Sequence, residues 1–359
     1  MQNLPYNSFV FFSAGPVGDH AILIDFASRF YESTGVRSTM LIKHPSPFLR
    51  DMLIPYADCI DAVECEGFLG SLRLGLFTIK SIFVKNCFVY VLPIVLPRYM
   101  RWFSYFIRFC TRSRAVGFNL RGGINFQKEG SCELLGGKNY IESNLDKELY
   151  YEQANRMLAW LGFAQVSRVP FLKHVEDISA LTRHGLEAKN YIVFHLAASH
   201  EDRSLPADRW NRIIKDVLEV IPETKLVFTG ALKDFLFIEE CVKGISRDRL
   251  VMLKEKVSTQ ELLTVYNKAS FCVTVHTGNA HLINMMQCKN IIVNIKGVYM
   301  FDFRFNPNAI SLHSENGCTC NPYERMCTEV MYKGKPYMAC MFNIKDEDIV
   351  HAVARAAGV

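Results

Sequence analysis

Two doubly wound α/β domains, each a parallel sheet wrapped by helices in the Rossmann manner, are the fold class that three observations predict. The chain has 359 residues, too long for one simple core and suited to two domains of about 100–200 residues each. Half of the residues are hydrophobic and 21% are charged, which excludes disordered and collagen-like classes. Short apolar runs alternate with segments of helical period along most of the length, the rhythm of βαβ units.

In the first half, a strand is expected at Ser8–Ser13, where Phe9–Phe12 form a short apolar run. No basic residues precede that run, so it reads as a buried strand and not as a signal peptide. The turn Ala14-Gly15-Pro16-Val17-Gly18 leads into a helix from about Asp19 to Glu32. Strands follow at Ser38–Lys43, near Cys59–Val63 and near Phe88–Leu92. Pro170 and a polar run place the join near residues 165–185. The domains are therefore read as 1–175, 176–345 and a terminal helix within 346–359.

The second half is cleaner. Tyr191–Ala198 reads as a strand buried on both faces. Pro206 opens a helix with Trp210, Ile213, Ile214, Val217, Leu218 and Ile221 in one stripe. Strands are expected at Leu226–Thr229, Leu250–Leu253, Phe271–Val275 and Asn290–Ile295. Helices are expected at Phe235–Lys243, Thr259–Lys268, Asn279–Gln287 and Asp346–Ala357.

Two such domains would face each other across a cleft, with ligands at the carboxyl ends of the strands. Helix amino termini there present free N–H groups and a partial positive charge, so an anion is the expected guest. Two strand–turn–helix segments have the residues for it. One is His276-Thr277-Gly278-Asn279-Ala280-His281, where a hydroxyl, a bare backbone and a helix start could hold a phosphate and His281 could add a donor. The other runs from Ser199 to Trp210, and its Ser199 and Arg203 could reach the same anion. His195, inside a strand, reads as a satisfied core histidine.

The formal net charge of +5 favours anionic partners without arguing for a nucleic-acid binder. No window of 18 uncharged apolar residues exists, so no membrane-spanning helix is expected. The segment from Arg98 to Arg114 interleaves basic and aromatic residues. It reads first as a helix packed on the sheet and second as a contact with an anionic membrane surface; no nucleic-acid module accompanies it. Of the 12 cysteines, Cys318, Cys320, Cys327 and Cys340 crowd into the tail. Their spacing lacks the paired CxxC of a structural zinc site, so they read as reduced structural thiols in a cytoplasmic protein.

The sequence resembles glycosyltransferase family 9, the lipopolysaccharide heptosyltransferase family. Ser199–Trp210 follows that family's S/T-x-x-x-K-x-W-P-x-x-x-W loop, with Arg203 for Lys and Leu205 for Trp. His276–Leu282 follows D-[ST]-G-x-x-H-L except at its first place, Val17-Gly18-Asp19 is similar to Leu-Gly-Asp, and Cys318–Ile344 is similar to the cysteine tail of many members. The resemblance implies a GT-B fold, a nucleotide-sugar donor held by the second domain and a lipid-linked or lipopolysaccharide acceptor met by the first. It implies that Ser199, Arg203, Thr277 and Gly278 bind the donor diphosphate, that Val257 meets the adenine through its backbone, and that Asp19, after Gly18, is the catalytic base. It implies no cofactor and no metal. Two positions depart from the pattern: His276 stands where the family has Asp, and Leu232 where an acidic residue meets the ribose. These departures sustain a rival, a non-catalytic nucleotide-sugar or glycan-binding protein. A two-domain epimerase of similar architecture would leave Asp19 and the cysteine tail without a role.

Overall fold

The structure, a computed structural model, describes residues 6–13, 17–90, 113–121, 140–144, 149–254, 257–296, 303–314 and 328–359. The chain divides into two compact units, the first running to Lys173 and the second beginning at His174.

Among the described residues the first unit has six strands: β1 (Ser8–Ser13), β2 (Ser38–Ile42), β3 (Ile60–Glu64), β4 (Asn86–Tyr90), β5 (Arg114–Arg121) and β6 (Tyr140–Asn144). All its pairings are parallel, in the order β3-β2-β1-β4-β5-β6. β1 is apolar along its length because helices cover both sheet faces; Phe9, Val10 and Phe11 are fully buried. The Phe9 and Phe11 rings meet Phe30 of the helix Val17–Thr34 edge to face at 4.9 and 5.4 Å. That helix also holds the segment that closes the unit. Asp25 accepts from Arg29 Nε at 2.7 Å and from Arg168 at 2.5 Å, and Arg168 also reaches Glu32 at 2.8 Å.

The second unit repeats the plan with β7 (Tyr191–His195), β8 (Lys225–Phe228), β9 (Leu250–Met252), β10 (Phe271–Val275), β11 (Asn290–Val293) and β12 (Ala309–Leu312). The order is β12-β11-β10-β7-β8-β9, the same doubly wound 3-2-1-4-5-6 arrangement as the first sheet. The helix Ala207–Val220 buries Trp210, Ile213, Ile214 and Val217 against it. Pro206 is the cap that precedes the helix and not its first residue. Thr259–Lys268 starts in a capping box in which Ser258 N donates to Glu261 and Glu261 N to Ser258 Oγ, at 2.6 and 3.2 Å. The terminal helix Asp346–Ala357 carries acids in its first turn, Arg355 in its last, and stops on Gly358 at φ 85°, which suits its dipole and its end. It belongs to the second unit: Ile349, Ala352, Val353 and Ala356 join that unit's core. Arg209 fastens it, donating to Asp346 through Nε at 2.8 Å and to the carbonyls of Phe342 and Ile344.

Several elements differ from the sequence expectation. β7 stops at His195 and not at Ala198, since the chain turns outward to form the loop before Pro206. The second sheet has six strands where five were expected, β12 being a four-residue edge strand. β3 is shifted by a residue, β4 begins two residues earlier, and residues 91 and 92 lie outside the described residues. The helices Pro47–Leu53 and Gly67–Phe83, strands β5 and β6, and a hairpin of β13 (Glu329–Tyr332) and β14 (Lys335–Met338) were not anticipated. The hairpin turns on Lys333 and Gly334, both at positive φ, the backbone of a two-residue loop. Among the described residues no helix is long and apolar enough to cross a membrane.

Candidate functional site

In a doubly wound sheet the crevice opens where neighbouring strands send their connections to opposite faces. In the second unit that point lies between β7 and β10, where Thr274 is paired with His195. Sequence reasoning placed His195 in the core, and it is 5% exposed. Its Nδ1 meets Thr229 Oγ1 at 3.0 Å, Thr229 meets Tyr266 OH at 3.2 Å, and its Nε2 meets Asn279 Nδ2 at 3.1 Å. Both ring nitrogens are thus engaged, and burial lowers the imidazole to about 4, so the ring is neutral and Asn279 donates to it.

β10 ends at Val275 and the chain turns through His276 and Thr277 into the helix Gly278–Met285. Thr277 caps that helix, its Oγ1 accepting from Ala280 N at 3.4 Å. Three polar atoms gather around this turn: His276 Nε2, Asn279 Oδ1 and Arg203 Nε are buried and have no hydrogen-bond partner among the described residues. Buried polar atoms are normally paired, so a cluster of orphans at a switch point marks a place for a polar ligand. The half-buried His276 ring is lowered to about 4, first by burial and then by the neighbouring Arg203 charge. His281, 6% exposed, lies against Phe303 at 4.9 Å and His276 at 5.7 Å, and burial lowers it to about 3. Near neutral pH both rings are uncharged, and the cation at this turn is Arg203.

Arg203 ends a short 3₁₀ turn, Glu201–Arg203, in the loop after β7. The loop is held from below: Ser204 Oγ donates to Leu196 O at 2.6 Å and accepts from Trp210 Nε1 at 3.2 Å. Leu205 fills the core where the family pattern has Trp. Ser199, in the same loop, is exposed. Val257 is partly exposed just ahead of the Ser258 cap, and Leu232 is 78% exposed. Asp234, two residues on, turns back to accept from Ala231 N at 2.8 Å.

In the first unit the corresponding point lies between β1 and β4. Residues 14–16 of the predicted turn lie outside the described residues; Gly18 and Asp19 fall in the first turn of Val17–Thr34. Burial pushes the Asp19 carboxyl from 3.8 up to about 6, a range suited to a base working near neutral pH. His20 beside it is hydrogen-bonded to Ser13 Oγ at the end of β1 and is lowered to about 4 by burial, and secondarily by His44.

Sequence reasoning named Arg203, His276 and Thr277, which meet at one turn. It missed Asn279, which a polar residue in the first turn of a helix that starts at a strand end could have signalled, and Ser13 with His20. Cys318, Cys320 and Cys327 lie outside the described residues, as do residues 98–112; Cys340 is buried. Arg114, the last of that basic and aromatic segment, starts β5 with its guanidinium 4.6 Å from the Trp160 ring centre. Among the described residues no three metal-ligating side chains gather.

No protein-family model matches the sequence, and no curated protein matches it. Solved structures do. A glycosyltransferase family 9 protein from Veillonella parvula superimposes with a TM-score of 0.68 at 13% identity, over 99% of this chain and 98% of its own. The ADP-heptose lipopolysaccharide heptosyltransferase II of E. coli gives 0.65 at 12% identity, over 98% and 100%. E. coli heptosyltransferase WaaC, solved with ADP, gives 0.59 at 13% identity, over 85% and 92%. Over almost its whole length, the chain has the GT-B fold of the glycosyltransferase family 9 proteins.

Proposed function

We propose that this chain is a glycosyltransferase that moves a sugar from a nucleotide-sugar donor to a lipopolysaccharide or other surface-glycan acceptor, as heptosyltransferases do. The observation that carries the reading is the set of orphaned polar atoms on Arg203, His276 and Asn279 at the switch point of the second sheet. Structures of the same fold have been solved with ADP and with ADP-2-deoxy-2-fluoro heptose, which supports a nucleoside diphosphate as the guest.

In this reading Arg203 and the helix start at Thr277-Gly278 take the diphosphate, whose charge grows as the bond to the sugar breaks. Ser199 adds a hydroxyl to it, Val257 lies beside the base, and His281 backs His276. The acceptor hydroxyl attacks the anomeric carbon, the carbon–oxygen bond to the diphosphate breaks, and the Asp19 carboxylate takes the hydroxyl proton. Neutral His276, in place of a carboxylate, offers the donor sugar a ring nitrogen without a negative charge. No metal or cofactor enters these steps. In this reading the enzyme works in the cytoplasm.

A second reading, a nucleotide-sugar binder that has lost transfer, is favoured by His276 and by the solvent-facing Leu232. One experiment separates the two. Nucleoside diphosphates are screened for thermal stabilisation, and the best is followed by an assay of its release from the sugar nucleotide with acceptor present. Ligand at 100 times its Kd stabilises by about 2.7 kcal/mol, and Arg203→Ala removes that effect. Stabilisation with no transfer to any acceptor selects the second reading; no stabilisation by any nucleotide rejects both.

A further inference from the structure

The helix Gly67–Phe83 has two faces with opposite fates. At about 100° per residue, Gly70, Leu74, Phe77 and Ser81 share one narrow arc. That arc lies on the protein: Gly70 and Ser81 are buried, and Phe77 meets Phe88 edge-on at 6.3 Å. At Gly70 a Cβ would come within 2.5 Å of the Cys65 carbonyl carbon, so the contact is close. Phe68, Leu69, Leu72, Leu76, Ile79 and Phe83 fall in a second arc of about 100° on the far side. Every one of them is more than half exposed, Phe68 at 85% and Phe83 at 77%. Single exposed apolar residues need no explanation, but six aligned along one helix form a patch that does.

Charge narrows the choice of occupant. Residues 67–83 contain Arg73 and Lys80 and no acidic side chain, and Lys85 follows. By the same wheel Arg73 and Lys80 adjoin the apolar arc just beyond Leu69; Arg73 also reaches Glu64 at 3.8 Å. An apolar face edged by cations fits an anionic bilayer, where side chains enter the headgroup boundary and the cations meet lipid phosphates. Two copies of the helix laid face to face would bring cations toward cations with no carboxylate of their own to answer them.

We infer that Gly67–Phe83 is an interfacial helix that rests on an anionic lipid surface through Phe68, Leu69, Leu72, Leu76, Ile79 and Phe83. The inference deepens the proposed function by giving a lipid-borne acceptor a place to be met, and rests on that reading only there. It is tested by cosedimentation of the full chain with vesicles of phosphatidylcholine alone or with one quarter phosphatidylglycerol. The wild type should partition onto the anionic vesicles, and Lys80→Ala should lower its partition about fivefold. The double variant Leu72→Glu with Leu76→Glu should lower it at least about tenfold, while melting temperature and nucleotide stabilisation stay unchanged. A wild type that ignores anionic vesicles, or a double variant that binds them equally, overturns the inference. So does a wild-type dimer that the double variant splits without any vesicle binding, which would assign the face to a second copy. Loss of nucleotide stabilisation alone would count against the proposed function and leave this surface standing.

Discussion

Replacing Asp19 by Asn should make the protein more stable and the enzyme far slower. The carboxyl sits at about 6 instead of 3.8, and burial is the cause. One pH unit corresponds to about 1.4 kcal/mol, so the ionised carboxylate costs the fold about 3 kcal/mol at neutral pH. The sign follows from proton counting. Below pH 3.8 the group is protonated in both states and contributes nothing. Between 3.8 and about 6 the unfolded chain ionises first, so stability falls as pH rises; above about 6 the penalty is complete. Asn has no such penalty, so the variant's advantage should open across that window and then stay level. In a unit of this size it amounts to about 6–12 °C in melting temperature at pH 7.5, shrinking toward zero near pH 4. Transfer should drop about 10²–10⁴-fold through loss of the base, and wild-type kcat/KM should rise with pH through about 6. Thermal melts at the two pH values and a transfer assay on the same preparation measure both halves. Equal melting temperatures at pH 7.5, or near wild-type transfer by the variant, would refute the assignment and leave Asp19 an ordinary first-turn acid.

Three further outcomes are expected. His20, His195, His276 and His281 are held at about 4, 4, 4 and 3 in the fold. The unfolded chain therefore takes up protons first below pH 6.5, and melting temperature should fall between pH 6.5 and 4, less steeply in His281→Gln. Arg209→Ala leaves the half-buried Asp346 with Arg212 at 3.2 Å and removes the donor to the carbonyls of Phe342 and Ile344, and should cost about 1–3 kcal/mol in chemical denaturation. Arg209→Lys should recover only part of that, since an ammonium cannot span the fork. Elemental analysis of the purified protein should find no stoichiometric zinc; one zinc per chain, lost in Cys327→Ser, would assign the tail cysteines to a metal.

The strands that sequence reveals are those with short apolar runs, the edge strands β3 and β9 included. β1, β7 and β10 are covered on both faces and so appear as unbroken apolar runs. β5, with Arg114, Gly117 and Asn119, and β6, with Glu142 and Asn144, lack such runs, and β12 is an edge strand of four residues. Gly67–Phe83 is apolar on more than one side, so no polar face announces its period. The site follows the same division. Arg203 and Thr277 stand in the connections that follow strands, a local pattern open to inspection. The pairing of Asn279 with His195 joins residues 84 apart in the chain, and only the crossover from β9 to β10 brings them together. Leu232 and His276 were legible as departures from a pattern. That the Asp234 carboxylate turns back to accept from Ala231 N needed the three-dimensional structure.

The clasp between Arg209 and the terminal helix sets an order of events during synthesis. The first unit's six strands and its closing segment, pinned by Arg168, all lie before His174. That unit can fold while the ribosome is still making the rest. The second cannot. Its core lacks Ile349, Val353 and Ala356, and Arg209 lacks its carboxylate, until the helix Asp346–Ala357 has emerged. For the time needed to translate some 150 residues, Trp210 and its neighbours have only a partial sheet to shelter against. Chaperone dependence and aggregation during expression should therefore concentrate in the second unit, and a chain cut short at Lys345 should be degraded although every residue of the candidate donor turn is present.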